Sequence, residues 1–279
     1  MAGVTLTYKG STIANMINSG SKTLKTSGKY CEGDIVVRYV KPASSGSGFW
    51  DEDYVKAFIQ RDGSVTSVVL PDGLTRIGKN AFSGCSFLNI DALPNTIETI
   101  QEGAFEGCTR LALTSLPENI QVIFPSAFKY CENLALASLP SNIISIGSHC
   151  FHDCKNITLT SLPEGIERIE AYSFYGCENI TLTTIPEVVT YIGDDAFSGC
   201  TNITLTTIPV GVTYVGNDAF YGCTGLTSIT FNGTPTTLNR NAFRNCSNLT
   251  NIYVPWAQGA VANAPWGATN ATIHYNTTT

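Results

Sequence analysis

Leu162-Pro-Glu-Gly-Ile-Glu-Arg-Ile169, then Ser173-Phe174 and Gly176-Cys177, is the stretch that decides the fold, because its pattern returns every 23 residues. Cys85, Cys108, Cys131, Cys154, Cys177, Cys200, Cys223 and Cys246 mark eight copies. A Phe stands three residues before each Cys, from Phe82 to Phe243, and a Leu or Ile three after it, from Leu88 to Leu249. Pro71, Pro94, Pro117, Pro140, Pro163, Pro186 and Pro209 keep the same phase, with aliphatic residues three and six positions later, as in Ile166 and Ile169. Apolar residues at constant phase make each copy one coil, whose inward side chains only neighbouring coils can bury. Each coil offers about seven such groups, worth roughly 1.5 to 3 kcal/mol apiece before chain entropy offsets most of it, so no coil folds alone.

Proline lacks an N–H and fixes φ, so it ends a strand and turns the chain at the corner. Glycines four residues before the Phe, such as Gly147, Gly193 and Gly216, fit the next tight turn, where a positive φ is expected. The residues before the prolines fall into two classes. Val65, Val68, Leu70 at the start and Leu226, Ile229, Phe231 and Leu249, Ile252, Val254 at the end are spaced three then two. The six middle copies read two then three, as in Ile157, Leu159, Leu162. Strand side chains alternate by two, so the three-residue step demands a bulge, and its position moves within the array.

With its strict period, this pattern resembles the BspA-like bacterial leucine-rich repeats over about residues 65 to 254. The resemblance implies a β-rich, right-handed solenoid of 23-residue leucine-rich repeats, with short parallel strands on one face, roles in adhesion or recognition, and no catalytic residues. Lys22-Thr-Leu-Lys-Thr-Ser-Gly-Lys-Tyr-Cys31, with Asp34-Ile-Val-Val37, looks like short modules at the ends of phage tail-associated structural proteins. Val254-Pro-Trp-Ala257, Ala264-Pro-Trp-Gly267 and Thr272-Ile-His-Tyr275 look like the end module that closes such arrays.

Around the repeats, residues 1–40 read as a small β-rich module with Val4, Leu6, Ile35 and Val37 alternating, and 41–48 as a flexible Pro/Ser/Gly linker. Residues 49–63 place Trp50, Tyr54, Val55, Phe58 and Ile59 on one helical stripe, predicting a helix that caps the repeats at 64–254. Trp256, Trp266 and Tyr275, within 255–279, are expected to cover the last rung.

The net charge of -6 conceals a split: residues 1–41 carry six Lys and Arg against Glu32 and Asp34, leaving 10 basic and 20 acidic residues downstream. An acidic body repels phosphate backbones, so no nucleic-acid partner is expected. No apolar stretch reaches the length of a membrane span, and Met1 to Gly20 holds no basic cluster followed by an apolar run, so no membrane insertion is expected and nothing there reads as an export signal.

The cysteines read as a column of buried free thiols, because metal sites need short spacings and 23-residue phasing makes a column. Replacing one by Ser is expected to leave an unpaired buried hydroxyl. Cys150 stands where most copies have Ala, and so belongs to the core. His149-Cys150-Phe151-His152-Asp153-Cys154 is the one metal-like cluster, but its histidines fall in variable columns, so neither a metal, a cofactor nor a catalytic histidine pair is expected. Asn133, Asn156, Asn179 and Asn202 form one column, read as an amide ladder.

These features lead to a non-catalytic recognition or adhesion module for a protein or glycan surface, with a structural spacer or assembly component of a phage tail or cell surface as the alternative. Thr158, Thr160, Thr181, Thr183, Thr204 and Thr206 make the strand face a poor anchor. The opposite flank is the candidate site: Tyr191 and Tyr214 share an outward column with Arg168 one coil earlier, and Tyr175 and Tyr221 share another. Tyr and Arg are enriched at binding hot spots. Rings more than half covered by their own chain would instead be packing.

Overall fold

The computed structural model describes Leu70 and residues 74–277 in full, and six earlier strands by their backbone. Those six are β1 (Val4–Tyr8), β2 (Ser11–Met16), β3 (Lys22–Leu24), β4 (Ile35–Arg38), β5 (Tyr54–Phe58) and β6 (Val65–Val69). The repeats add β7 (Arg76–Ile77), β8 (Thr99–Ile100), β9 (Val122–Ile123), β10 (Ser145–Ile146), β11 (Arg168–Ile169) and β12 (Tyr191–Ile192). They continue with β13 (Thr207–Ile208), β14 (Tyr214–Val215), β15 (Ser228–Phe231), β16 (Thr237–Leu238), β17 (Asn251–Tyr253) and β18 (Thr272–His274). Coils 1 to 7 are counted from the seven prolines and coil 8 from Asn232. Each coil contributes one two-residue strand, ending six positions after its start, to one of two parallel ladders: β7 to β10, where Ile77 pairs with Ile100, and β11, β12, β14 and β16, where Tyr191 pairs with Tyr214.

The core is a set of columns. The eight phased phenylalanines are buried, and their rings stack on the next coil's ring with centroids 5.2 to 5.7 Å apart. Offset-stacked aromatics add about 0.5 to 1.5 kcal/mol per pair beyond area burial. Coil faces also lock by backbone bonds, as from Phe82 N–H to Ala104 O at 2.7 Å and Phe197 N–H to Ala219 O at 2.8 Å. The nine cysteines among the described residues are buried, Cys150 included.

Their thiols have a partner that sequence reasoning missed. In the 23-residue column from Cys108 to Cys246, Cys150 not being part of it, each Sγ donates to the Phe carbonyl 26 residues earlier at 2.9 to 3.1 Å. A serine at such a position would face an acceptor, which corrects the expectation of an unpaired hydroxyl. The glycine expectation is also corrected. Gly147, Gly193 and Gly216 do not adopt positive φ; a Cβ there would overlap backbone atoms of Pro125, Ala171 and Asp194. They are glycine because neighbouring coils approach too closely for a side chain.

The capping helix is not formed. Tyr54–Phe58 is a strand, antiparallel to β4 and parallel to β7, with Tyr54 opposite Arg76 and Val55 opposite Ile77. A short isolated helix is marginal, whereas aromatic and β-branched residues beside an open ladder gain its hydrogen bonds, so tertiary context overrides the helical stripe. The offset between Tyr54 and Arg76 is 22 residues, one short of the period, and the segment lacks the Phe and Cys that mark the other coils. β1 pairs antiparallel with β2 and with β6.

Pre-proline spacing has a structural consequence. Where it reads three then two, β15 and β17 form a regular parallel ladder, extended by β13 and β18. In the middle coils the misplaced extra residue leaves isolated bonds, such as Thr158 N–H to Leu136 O at 2.9 Å and Thr181 N–H to Leu159 O at 3.0 Å. At the C-terminal end Trp256 and Trp266 are buried edge-to-face, and Phe243 N–H bonds Trp266 O at 2.9 Å, so Trp266 occupies the place of a ninth rung.

Candidate functional site

The post-proline flank brings three of the five sequence-nominated residues together. Arg168, Tyr191 and Tyr214 are opposite one another on β11, β12 and β14. The Arg168 guanidinium lies 3.8 Å from the Tyr191 ring centroid, and Tyr191 stacks on Tyr214 at 4.7 Å and 8°. Arg168 also donates to Glu170 at 2.8 Å, and that bond raises its pKa further. Tyr214 donates to Asp194 Oδ1 at 3.3 Å and accepts from Asn239; burial, then the Asp194 charge, push its phenol up.

Tyr175 and Tyr221 are two coils apart, with Ser198 between them in the column. Tyr175 stacks against His152 at 4.5 Å within a cluster that includes Tyr130, His149 and Tyr172. Tyr221 has Arg244 above its ring and accepts a bond from Asn245 at 2.9 Å.

All four tyrosines fall in the partly covered class, each less than half exposed, because the period that aligns them also stacks their faces. Covered to that extent, the rings pack against their own chain and do not project as anchors. Arg168 keeps a side chain 50% exposed. The residues that do project on this flank were missed: Ile144, Val188 and Val210 are 59%, 48% and 65% exposed. They sit in three columns that the other coils fill with polar residues or glycine, and that anomaly was readable in the sequence. Ile144 and Arg168 share a shallow cleft of about 390 Å³ with Ser145, Gly165, Glu167 and Glu170. The opposite face carries Thr158, Thr160, Thr181, Thr183, Thr204 and Thr206, all exposed, and amides that pair at 3.4 to 3.5 Å, as Asn156 with Asn133 and Asn202 with Asn179.

Residues 54–181 and 167–258 match the family described as the BspA type leucine rich repeat region. The chain belongs to that family. Its repeats span the coils that carry both faces just described. Among solved structures it is similar to a leucine-rich repeat protein from Bacteroides ovatus, at 20% identity and TM-score 0.47, covering 89% of this chain and 76% of that one. It is also similar to a leucine rich cell surface protein from Faecalibacterium prausnitzii, at 21% identity and TM-score 0.35, covering 66% and 70%. A third likeness is to the pneumococcal vaccine antigen PcpA, at 15% identity and TM-score 0.50, covering 74% and 66%. No curated protein matches. Among the described residues no helix is long and apolar enough to cross a membrane.

Proposed function

We propose that the chain is a non-catalytic recognition module that holds a protein or glycan surface on the post-proline flank of coils 4 to 7. The observation that carries this reading is the exposure of Ile144, Val188 and Val210, the most exposed large apolar side chains among the described residues, on the post-proline flank. Exposed apolar side chains rimmed by polar groups mark interaction surfaces, and Arg168 and Glu167 supply polar groups here. The stacked Tyr191 and Tyr214 stiffen the flank, offering edges and a phenol that needs no further ordering on contact. The Thr and Asn face favours the spacer alternative, since small uncharged residues provide little hot-spot energy.

Glycan and protein arrays probed with the full chain and with an Ile144→Asp, Val188→Asp, Val210→Asp variant test it. The proposal expects saturable hits weakened at least tenfold by the triple variant at unchanged melting temperature. Hits that ignore the substitutions refute the flank, and no saturable hit on either array favours the spacer.

A further inference from the structure

The seven junctions between the eight coils are not equal. On the post-proline edge, six carry backbone bonds such as Gly147 N–H to Ile123 O and Gly193 N–H to Ile169 O, both 2.8 Å. The junction between coils 4 and 5 carries none among the described residues: β10 ends one sheet and β11 begins another. Side-chain staples on this edge stop there too, although inside the coil Cys177 Sγ still reaches Phe151 O and on the far edge Thr181 N–H reaches Leu159 O, both at 3.0 Å. Thr96, Asn119 and Asn142 donate to carbonyls of the preceding coil at 2.7 to 2.9 Å, but the same column holds Gly165 in coil 5. The cleft lined by Ile144 and Arg168 is this opening. Inside the same junction Ser173 stands where most coils have alanine, and its hydroxyl is fully buried without a hydrogen-bond partner.

Rings cross the gap instead. His149 stacks on Tyr172 at 4.6 Å and 5°, and His152 on Tyr175 at 4.5 Å and 23°. Beside them run three turn bonds, from His149, Phe151 and Asp153 N–H to the carbonyls of Ala171, Ser173 and Tyr175. His149 and Tyr172 hold φ values of 55° and 58°, a left-handed backbone that other coils give to Asn80, Gly103, Asp195 and Asp218. A bulky residue such as Tyr172 is strained there.

In a repeat array stability is a sum of nearest-neighbour terms, so the poorest junction separates first. We propose that the coil 4 to coil 5 junction is a built-in weak link that divides the solenoid into two cooperative blocks, and that the imidazole–phenol stacks across it loosen on acidification.

The surroundings of both imidazoles support the pH dependence. His149 faces Lys129, His152 and Tyr172, with Asp195 bonded beyond Tyr172, and its Nδ1 is buried without a partner. His152 faces Lys129, Tyr130, Tyr172, Tyr175 and, at 3.1 Å, Asp153; Glu106 lies 3.8 Å from Lys129. Burial lowers both imidazole pKa values, with Asp153 opposing it at His152. A lowered folded pKa means the neutral ring is the one the fold accommodates. Its stabilisation is complete above the ordinary value of 6.5 and is lost as pH falls below it.

Residue-resolved hydrogen exchange on the full chain at pH 7.5 and 5.5, corrected for intrinsic rates, tests this. The amides of His149, Phe151 and Asp153 are expected to exchange at least tenfold faster than those of Phe105 and Phe197, with the ratio growing at pH 5.5. Gly165→Asn, which returns a staple of the Asn142 kind within reach of Ser141 O, is expected to shrink the ratio at both pH values. His149→Asn with His152→Ser is expected to remove its pH dependence. Equal protection at all junctions at both pH values overturns the weak link, and a pH dependence that survives the double substitution overturns the role of the histidines.

Discussion

Cys154 offers a test of why the column is cysteine and not alanine. Its Sγ lies 3.0 Å from Phe128 O, a carbonyl that also accepts Cys131 N–H at 3.0 Å. Cys154→Ala deletes a fully buried sulfur, a transfer and cavity loss of about 1 to 2 kcal/mol. It also deletes a weak-donor bond at the low end of about 0.5 to 1.5 kcal/mol. The carbonyl keeps its other partner, so no full desolvation penalty is added, and the total comes to about 1.5 to 2.5 kcal/mol. Cys154→Ser keeps a donor aimed at the same oxygen and should cost about 1 kcal/mol. Equilibrium urea unfolding of the three proteins, read as midpoint shifts at constant slope, measures the order. A serine variant less stable than the alanine variant would refute the reasoning, because it would show a hydroxyl with no acceptor.

Three further outcomes follow from the columns. Burial pushes the thiols up, Cys246 to about 12 and Cys200 and Cys223 well above the ordinary value, so thiol titration should find slow labelling in the native chain and rapid labelling after unfolding. Phe174→Ala, which removes a ring stacked on both Phe151 and Phe197, should cost about 3 to 5 kcal/mol in urea unfolding. Phe82→Ala, with a resolved stack on one side, should cost less by about one ring pair, 0.5 to 1.5 kcal/mol, and equal costs would argue against nearest-neighbour coupling. Replacing Tyr191 and Tyr214 by Ser should lower stability by at least about 1 kcal/mol, because those rings are packing; an unchanged urea midpoint would restore them as free anchors.

The period made the repeats legible, since a residue at constant phase has only its copies as neighbours: Phe105 must meet Phe82 and Phe128. The same logic hid the exceptions. Tyr54 and Val55 belong to a segment without the phased Phe and Cys, offset by 22 residues, so periodicity did not reach them and a local helical stripe stood in its place. Stacking of Tyr191 on Tyr214 was implied by their shared column, but hot-spot chemistry was read before the face-to-face contact that uses up the rings. Val188 and Val210 are apolar residues in columns that other coils fill with polar residues or glycine, a weak signal in sequence alone because single exposed valines are common. The open edge between β10 and β11 was not readable, because Gly165 shows only that a staple is missing and not that the backbone parts.

Excising one period tests the architecture most directly. Deleting residues 186–208, a full coil, joins Ile185 to Pro209 with every column in phase. The account predicts a folded chain, with far-ultraviolet circular dichroism per residue and cooperative unfolding like the parent. Deleting 186–197 throws the Phe and Cys columns out of register and is predicted to abolish cooperative unfolding. A folded half-period deletion, or an unfolded whole-period one, would contradict the account.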